Sequence, residues 1–150
     1  MAVTNIPDDH HVVRHCKNRV LIRVNGAVTG VYPEAFHLRP KTDKREQEKY
    51  LSAVYYENFT GSPPEMMKAC CAALPLKEKS RDGLARVNVR KAKDAGKKQN
   101  KSLRVTHEPK KGNQAYAAIR GIPENIQDEL FNLLATTAVV ETIEVSALPA

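Results

Sequence analysis

The feature that most constrains the fold is an Asn-Gly pair, Asn25 and Gly26, between two runs rich in β-branched residues. The first run covers residues 20–24 and the second covers residues 28–32. Asn-Gly suits the tight turn of a two-residue hairpin, because both residues tolerate positive φ angles. The sequence therefore predicts a β-hairpin from about residue 19 to residue 32.

Further strands are expected in the second half of the chain, where apolar and polar residues alternate. Val87 and Val89 alternate with Arg86, Asn88 and Arg90, which predicts a half-buried strand with a basic outer face. Similar patterns predict a sheet from residues 84–90, 103–107 and 115–120, and a last edge strand over residues 139–145.

Three segments have helical patterns. Residues 42–58 carry acids and bases at helical spacing, with Thr42 or Asp43 as N-cap and an apolar stripe of Tyr50, Leu51, Val54 and Tyr55, although residues 55–59 could equally extend as a strand. A second helix is expected after Ser62, because Pro63 suits a first-turn position, and a third is expected over residues 124–135. The 150 residues fit one domain. We therefore predict a single α+β domain with an antiparallel or mixed sheet of short strands and two or three helices.

Several classes of protein are disfavoured by the sequence. The N-terminus lacks the basic and apolar regions of a signal peptide, and no apolar run approaches the length of a membrane helix. No glycine-rich phosphate loop is present, so we expect no cofactor. The three cysteines are an odd number, and Cys70 and Cys71 are adjacent. We expect reduced thiols and a cytoplasmic protein without membrane contacts.

The positive charge is concentrated in residues 81–111. This segment holds eleven basic and three acidic residues, a net charge of +8, whereas the other 119 residues sum to −1. Such asymmetry favours a polyanionic partner. Residues 91–102 contain no apolar side chain larger than alanine, so we expect an exposed, mobile basic loop or a short helix there.

The first functional hypothesis is binding of a nucleic-acid phosphate backbone, DNA or RNA, by this segment. Rigid arginines on strands would position the backbone, and the loop would add reach. A solvated surface loop is the ordinary alternative. The candidate contact residues are Arg86, Arg90, Lys91, Lys93, Lys97, Lys98, Lys101, Arg104, Lys110 and Lys111.

A second hypothesis is a small metal-independent ribonuclease or phosphodiesterase toxin. His15 and His107 would act as acid and base, Arg14 would stabilise developing phosphate charge, and Glu57 would serve as a further acid or base. Each of the four also has an ordinary structural role open to it. The sequence alone cannot place them together.

Residues 8–16 contain three of the five histidines and one thiol, which raises the question of a metal site. Structural zinc sites use paired ligands at defined spacing, and this pattern is missing here. If residues 12–16 form a strand, His11, Val13 and His15 share one face and Arg14 lies on the other. We therefore predict no metal and treat these histidines as structural or substrate-binding.

Five short stretches resemble those of a group of small bacterial proteins for which no activity is established. They are residues 11–16, 35–40, 49–52 with Glu57, 103–107 and 117–123. The resemblance implies a bacterial origin and a single compact unit, and it implies nothing about mechanism.

Three functions follow in order of preference. The first is a non-enzymatic accessory module that binds nucleic acid, as a subunit of a bacterial defence or toxin-antitoxin system. The second is the ribonuclease, and the third is a protein-interaction subunit whose basic segment meets an acidic partner protein.

Overall fold

The computed structural model describes residues 3–74 and 82–142. Its main sheet has seven strands in the order β1-β7-β8-β5-β2-β6-β9, and all neighbouring pairs are antiparallel. These strands are Thr4–Asn5 (β1), His11–Cys16 (β2), Leu51–Tyr55 (β5), Gly83–Asn88 (β6), Arg104–His107 (β7), Tyr116–Arg120 (β8) and Val139–Thr142 (β9). The helices are Pro63–Ala73 (α1), Val89–Lys98 (α2) and Leu130–Thr137 (α3). The predicted α+β class is confirmed.

The predicted hairpin is also confirmed. Strands β3 (Leu21–Val24) and β4 (Ala27–Val31) form a separate two-stranded sheet. Between them Asn25 has φ 51° and Gly26 has φ 83°. Two successive positive φ angles are the geometry that Asn-Gly tolerates, and they match the twist of the flanking strands.

The sheet separates two apolar cores. On one face Val12, Leu51 and Val87 pack with buried residues of α2 and α3. On the other face Val13 and Val54 pack, together with Leu84, against residues of α1. The two adjacent valines of β2 thus serve different cores, because successive side chains of a strand point to opposite faces.

Strand β2 pairs differently on its two sides. It pairs with β6 along its whole length, from His11 opposite Asn88 to Cys16 opposite Gly83. With β5 it makes only two pairs, Val12 opposite Tyr55 and Val13 opposite Val54. Strands β2 and β5 therefore separate beyond Val13, which opens a seam in the sheet.

The helix predicted over residues 42–58 is wrong. Residues 51–55 form β5, which is inserted between β8 and β2, and a short 3-10 helix follows at Tyr56–Asn58. Leu51 and Ala53 face one core and Val54 faces the other. A segment buried on both sides satisfies its backbone better in the middle of a sheet than as an amphipathic surface helix.

The mobile loop predicted near residues 91–102 is wrong as well, and the short-helix alternative is right. β6 ends at Asn88, whose side chain accepts a hydrogen bond from Lys91 N and caps α2. Arg90 therefore belongs to this helix and not to a strand. The buried side of α2 consists of Val89, Ala92, Ala95 and Gly96.

Other elements follow the predictions closely. Helix α1 begins at Pro63 behind a capping box formed by Ser62 and Glu65. Strands β7 and β8 occupy the predicted segments, but β5 and β2 lie between them and β6. β9 is an edge strand, and residues 143–145 lie outside the described residues. Helix α3 begins later than predicted, and Ile126, which lies before its first residue, is 60% exposed.

Among the described helices, none has the length and apolar character needed to cross a bilayer.

Candidate functional site

Helix α2 carries the most concentrated exposed charge of the predicted basic segment. Arg90, Lys91, Lys97 and Lys98 are all exposed, and Asp94 lies among them. Positions 90, 94, 97 and 98 recur at helical spacing, so their side chains share one side of the helix. We call the four basic residues Arg90, Lys91, Lys97 and Lys98 the cationic stripe.

Three ion pairs lie in or beside the cationic stripe. Arg90 Nε lies 3.9 Å from Asp94 Oδ2, one helical turn away. Lys93 Nζ donates to Asp8 Oδ1 at 2.7 Å, and this hydrogen bond lowers the pKa of the exposed Asp8 carboxyl. Lys101 Nζ lies 3.6 Å from Asp128. Lys93 and Lys101 are therefore paired within the protein, whereas the carboxylates that act on the stripe within the described residues are Asp94 and, at longer range, Asp8.

The remaining predicted contact residues lie elsewhere. Arg86 shares the α1 side of the sheet with Leu84, and its guanidinium carbon is 5.2 Å from the centre of the Tyr56 ring. Arg104 is exposed on β7 opposite Arg120, and Lys111 is exposed beyond the end of the strand. Since α2 packs on the other side of the sheet, the ten residues do not form one surface. Arg81 lies outside the described residues.

His15 and Arg14 lie where β2 separates from β5. His15 Nε2 is 2.7 Å from Asp82 Oδ2, and Asn18 N donates to the other oxygen of Asp82 at 3.0 Å. Asp82 is only 6% exposed. The buried carboxylate fixes the orientation of the imidazole, since a hydrogen bond to one ring nitrogen sets the direction of the other.

Arg14 occupies the seam between the two strands. Its two terminal nitrogens donate to the backbone carbonyls of Ser52 and Ala35. Its Nε is buried and has no hydrogen-bond partner among the described protein atoms. Burial lowers the pKa of the Arg14 guanidinium below its ordinary value.

Glu57 and His107 lie away from this seam. Glu57 accepts hydrogen bonds from His11 N at 2.7 Å and from His11 Nδ1 at 2.6 Å. His107 Nε2 donates to the Gln114 carbonyl at 2.7 Å, and its ring packs 5.0 Å from that of Tyr55.

The structure therefore does not bring the four predicted catalytic residues together. Strands β5 and β8 separate β2 from β7, so the backbones at His15 and His107 are about 14 Å apart at ordinary strand spacing. An acid and a base that act on one phosphodiester must each reach it directly or through one water. Only Arg14 and His15 share a location.

A polar and aromatic cluster on the outer part of the sheet was missed from the sequence. Tyr116 OH donates to Tyr50 OH at 3.1 Å, and the Arg120 guanidinium lies 4.3 Å from the centre of the Tyr50 ring. Arg120 also donates to both oxygens of Glu108, at 2.8 and 2.7 Å, and this pairing lowers the Glu108 pKa. The alternation of residues 116–120 put Tyr116 and Arg120 on one face, but Tyr50 was assigned to a helix.

The cysteines pack in the apolar cores. Burial raises the pKa of Cys16 to about 11 and that of Cys70 to about 12, and it also raises the pKa of Cys71. All three thiols are free and buried. Within residues 3–74 and 82–142, no three potential metal-binding side chains of His, Cys, Asp or Glu are grouped closely enough to hold an ion.

No family model matches the chain, and neither a curated protein nor a solved structure is significantly similar to it. Function is therefore inferred from the geometry of the cationic stripe and of the seam at Arg14.

Proposed function

We propose that this protein binds the phosphate backbone of nucleic acid through the cationic stripe of α2. The observation that carries the proposal is that Arg90, Lys91, Lys97 and Lys98 are all exposed on one helix. Side chains on a regular helix keep fixed spacing, which lets several of them meet successive phosphates of one backbone.

The length of the stripe suits this role. From residue 90 to residue 98 the helix rises about 12 Å, which is comparable to a few phosphate spacings of a nucleic-acid strand. Four neutralised phosphates would give a slope of log K against log salt of about −3.6 on duplex DNA and about −2.8 on a single strand. Affinity would thus be moderate and strongly dependent on salt.

The helix is held firmly against the domain, which supports a positioning role. Ala92, Ala95 and Gly96 bring its backbone close to the core, and Asn88 caps its first turn. A fixed helix loses less conformational entropy on binding than a mobile loop does. The contacts are expected to lack base specificity, because lysine contacts to phosphate carry no sequence information.

The test is fluorescence anisotropy with a labelled random-sequence oligonucleotide, as single-stranded DNA, single-stranded RNA and duplex DNA. We expect binding at about 50 mM salt that weakens steadily to about 200 mM salt. Replacing all four stripe residues by alanine should abolish the binding at every salt concentration tested.

The matched control removes the same kind of charge elsewhere on the surface. Lys41, Lys44 and Arg45 are exposed and lie far from α2 in sequence, and their triple alanine variant should retain most of the affinity. Equal loss in both variants would mean that net charge alone drives binding. Stronger binding of poly-glutamate than of the oligonucleotide would contradict the proposal and favour an acidic protein partner.

A further inference from the structure

A cleft with a volume of about 670 Å³ opens beside the seam between β2 and β5. Arg14 and His15 line it from β2, Ser52 lines it from β5, and Tyr116 lines it from β8. Its size lies in the range of pockets that hold small organic ligands. No residue of α2 lines it, so it is independent of the cationic stripe.

We infer that this cleft is a binding site for a phosphate monoester, with Arg14 as the principal contact. The inference does not rest on the proposed binding of nucleic acid by α2. It rests on two observations about the cleft, namely unsatisfied buried nitrogens and an excess of cations around its rim.

The first observation concerns hydrogen bonding. Among the described residues, the buried side-chain nitrogens without a partner are Arg14 Nε and His37 Nε2, and both residues line this cleft. Buried polar atoms in proteins nearly always have a hydrogen-bond partner, so two unsatisfied nitrogens on residues that line one cleft favour a ligand there, which would reach them after a small rotation of the side chains. The His37 ring is held by edge-on packing against Phe131 at 4.5 Å.

The guanidinium of Arg14 has no carboxylate in direct contact, and Glu48 acts on it only at longer range. It donates to two backbone carbonyls, and in the described part of the chain no carboxylate forms an ion pair with it. A partly buried charge without a contacting counter-ion is costly. An oxyanion in the cleft would supply both the missing charge and an acceptor for the fork of N–H groups.

The second observation is the rim of the cleft. It carries four further cationic side chains and two carboxylates, namely Lys17, Arg19, Arg39, Lys110, Glu34 and Glu48. Glu48 is already engaged, because its Oε2 accepts from Arg39 Nε at 2.9 Å. The lining therefore has a net excess of positive charge, which favours a phosphate dianion over a carboxylate.

The rest of the cleft suits an organic group attached to the phosphate. Its wall includes apolar side chains of Val20, Ala53 and Leu74, and the cleft is larger than a lone phosphate requires. Tyr116 adds an aromatic ring whose face is 3.6 Å from Lys110 Nζ. The matching chemistry is a phosphate monoester on a small organic molecule or at the end of an oligonucleotide.

Calorimetry and NMR with phenyl phosphate test this inference on the full chain. We expect saturable binding, and we expect the Arg14 Nε–Hε resonance to shift because that group gains an acceptor. Benzoate and benzyl alcohol should bind at least about tenfold more weakly, since they lack the second negative charge or any charge.

Two sets of variants identify the contacts. Arg14→Met should abolish binding, and Arg14→Lys should weaken it about tenfold because an ammonium cannot form the bidentate contact. Since Arg14 is partly structural, the exposed pair Lys17→Ala and Arg19→Ala provides a second test, with an expected loss of severalfold. Lys44→Ala, which is exposed and does not line this cleft, should bind like the wild type.

The outcome that overturns the inference is absence of saturable phenyl phosphate binding, or unchanged binding in both the Arg14→Met protein and the double variant.

A 5′-phosphorylated dinucleotide and its 5′-hydroxyl form distinguish the two ligand sources. Preference for the phosphorylated dinucleotide over phenyl phosphate would indicate a nucleic-acid end, and the reverse would indicate a small metabolite. Failure of oligonucleotide binding by α2 would leave the result for this cleft unaffected.

Discussion

Gly96 packs so closely against Leu103 that a Cβ atom built on the glycine would lie 2.8 Å from the leucine Cγ. The same atom would lie 2.9 Å from the Lys101 carbonyl oxygen. Because one of these neighbours is backbone, rotation of a side chain alone cannot relieve the contact. This approach holds the end of α2 against the chain that leads into β7.

Gly96→Ala should therefore lower the free energy of unfolding, although alanine is normally the better helix former by about 1 kcal/mol. Overpacking of this kind costs about 1–3 kcal/mol. Urea denaturation followed by circular dichroism measures the change. Gly30→Ala is the control, because its Cβ would meet only Ile22 at 3.8 Å, and a larger loss there would refute the packing argument.

The mobile loop predicted for residues 91–102 was wrong because of the same packing. Ala92, Ala95 and Gly96 have the i, i+3, i+4 spacing of a buried helix face, but they are too small to be recognised as an apolar stripe in the sequence.

Removing the negative charge of Asp94 tests the role of the exposed side of the same helix. Asp94→Asn should raise the affinity for oligonucleotide, since Asp94 is the carboxylate within the cationic stripe and lies 3.9 Å from Arg90. Loss of one negative charge near the phosphates should strengthen binding about two- to fivefold at low salt, with less effect at high salt. Anisotropy at both salt concentrations measures this. An unchanged or weaker affinity at low salt would argue against contact at this face.

Lys97→Ala combined with Lys98→Ala should change the salt dependence of binding. If each lysine neutralises one phosphate of duplex DNA, the slope of log K against log salt should become less steep by about 1.8. Anisotropy titrations across the salt series give the slope. The double variant of Lys41 and Lys44 is the control, and a slope that falls equally in both would contradict specific contact by α2.

Glu108→Gln should remove part of the pH dependence of stability. Pairing with Arg120 lowers the native pKa of Glu108, so the carboxylate stabilises the fold above its unfolded pKa. This stabilisation is lost as the pH falls below the ordinary glutamate pKa of about 4.3 and through the lowered native pKa. Denaturation at several pH values should show a weaker acid dependence in Glu108→Gln than in the exposed control Glu124→Gln.

The three cysteines should react slowly with a thiol reagent in the folded protein at pH 8. Burial raises the thiol pKa of each, to about 11 for Cys16 and about 12 for Cys70, so little thiolate is present and access is poor. Unfolding in guanidinium chloride should make all three thiols reactive at the same time. Rapid reaction of any thiol in the native state would show that its core opens readily.

Local signals were sufficient for some elements and insufficient for others. The Asn25-Gly26 turn and the Ser62-Pro63 helix start depend on neighbouring residues, and both were predicted correctly. Strand β5 was assigned to a helix because Leu51, Val54 and Tyr55 fit both periods. Its position between β2 and β8 decides the outcome, and that is a long-range property.

The candidate site at Arg14 was predictable only in part. Arg14 and His15 were singled out from the sequence, but their use as a catalytic set with His107 and Glu57 required a proximity that the fold does not provide. Asp82 and Ser52 were missed, because nothing in the local sequence marks a buried carboxylate or a carbonyl partner that lies dozens of residues away.

The placement of β2 in the interior of the sheet, between β5 and β6, ties its burial to segments that are distant in the sequence. The partners of residues 11–16 lie at residues 51–55 and 83–88, far along the chain. Long-range pairing of this kind slows folding, because chain entropy is lost before the contacts form. Val12 and Val13 are thus buried only after both distant segments have joined the sheet, so the two apolar cores depend on the same late step of folding.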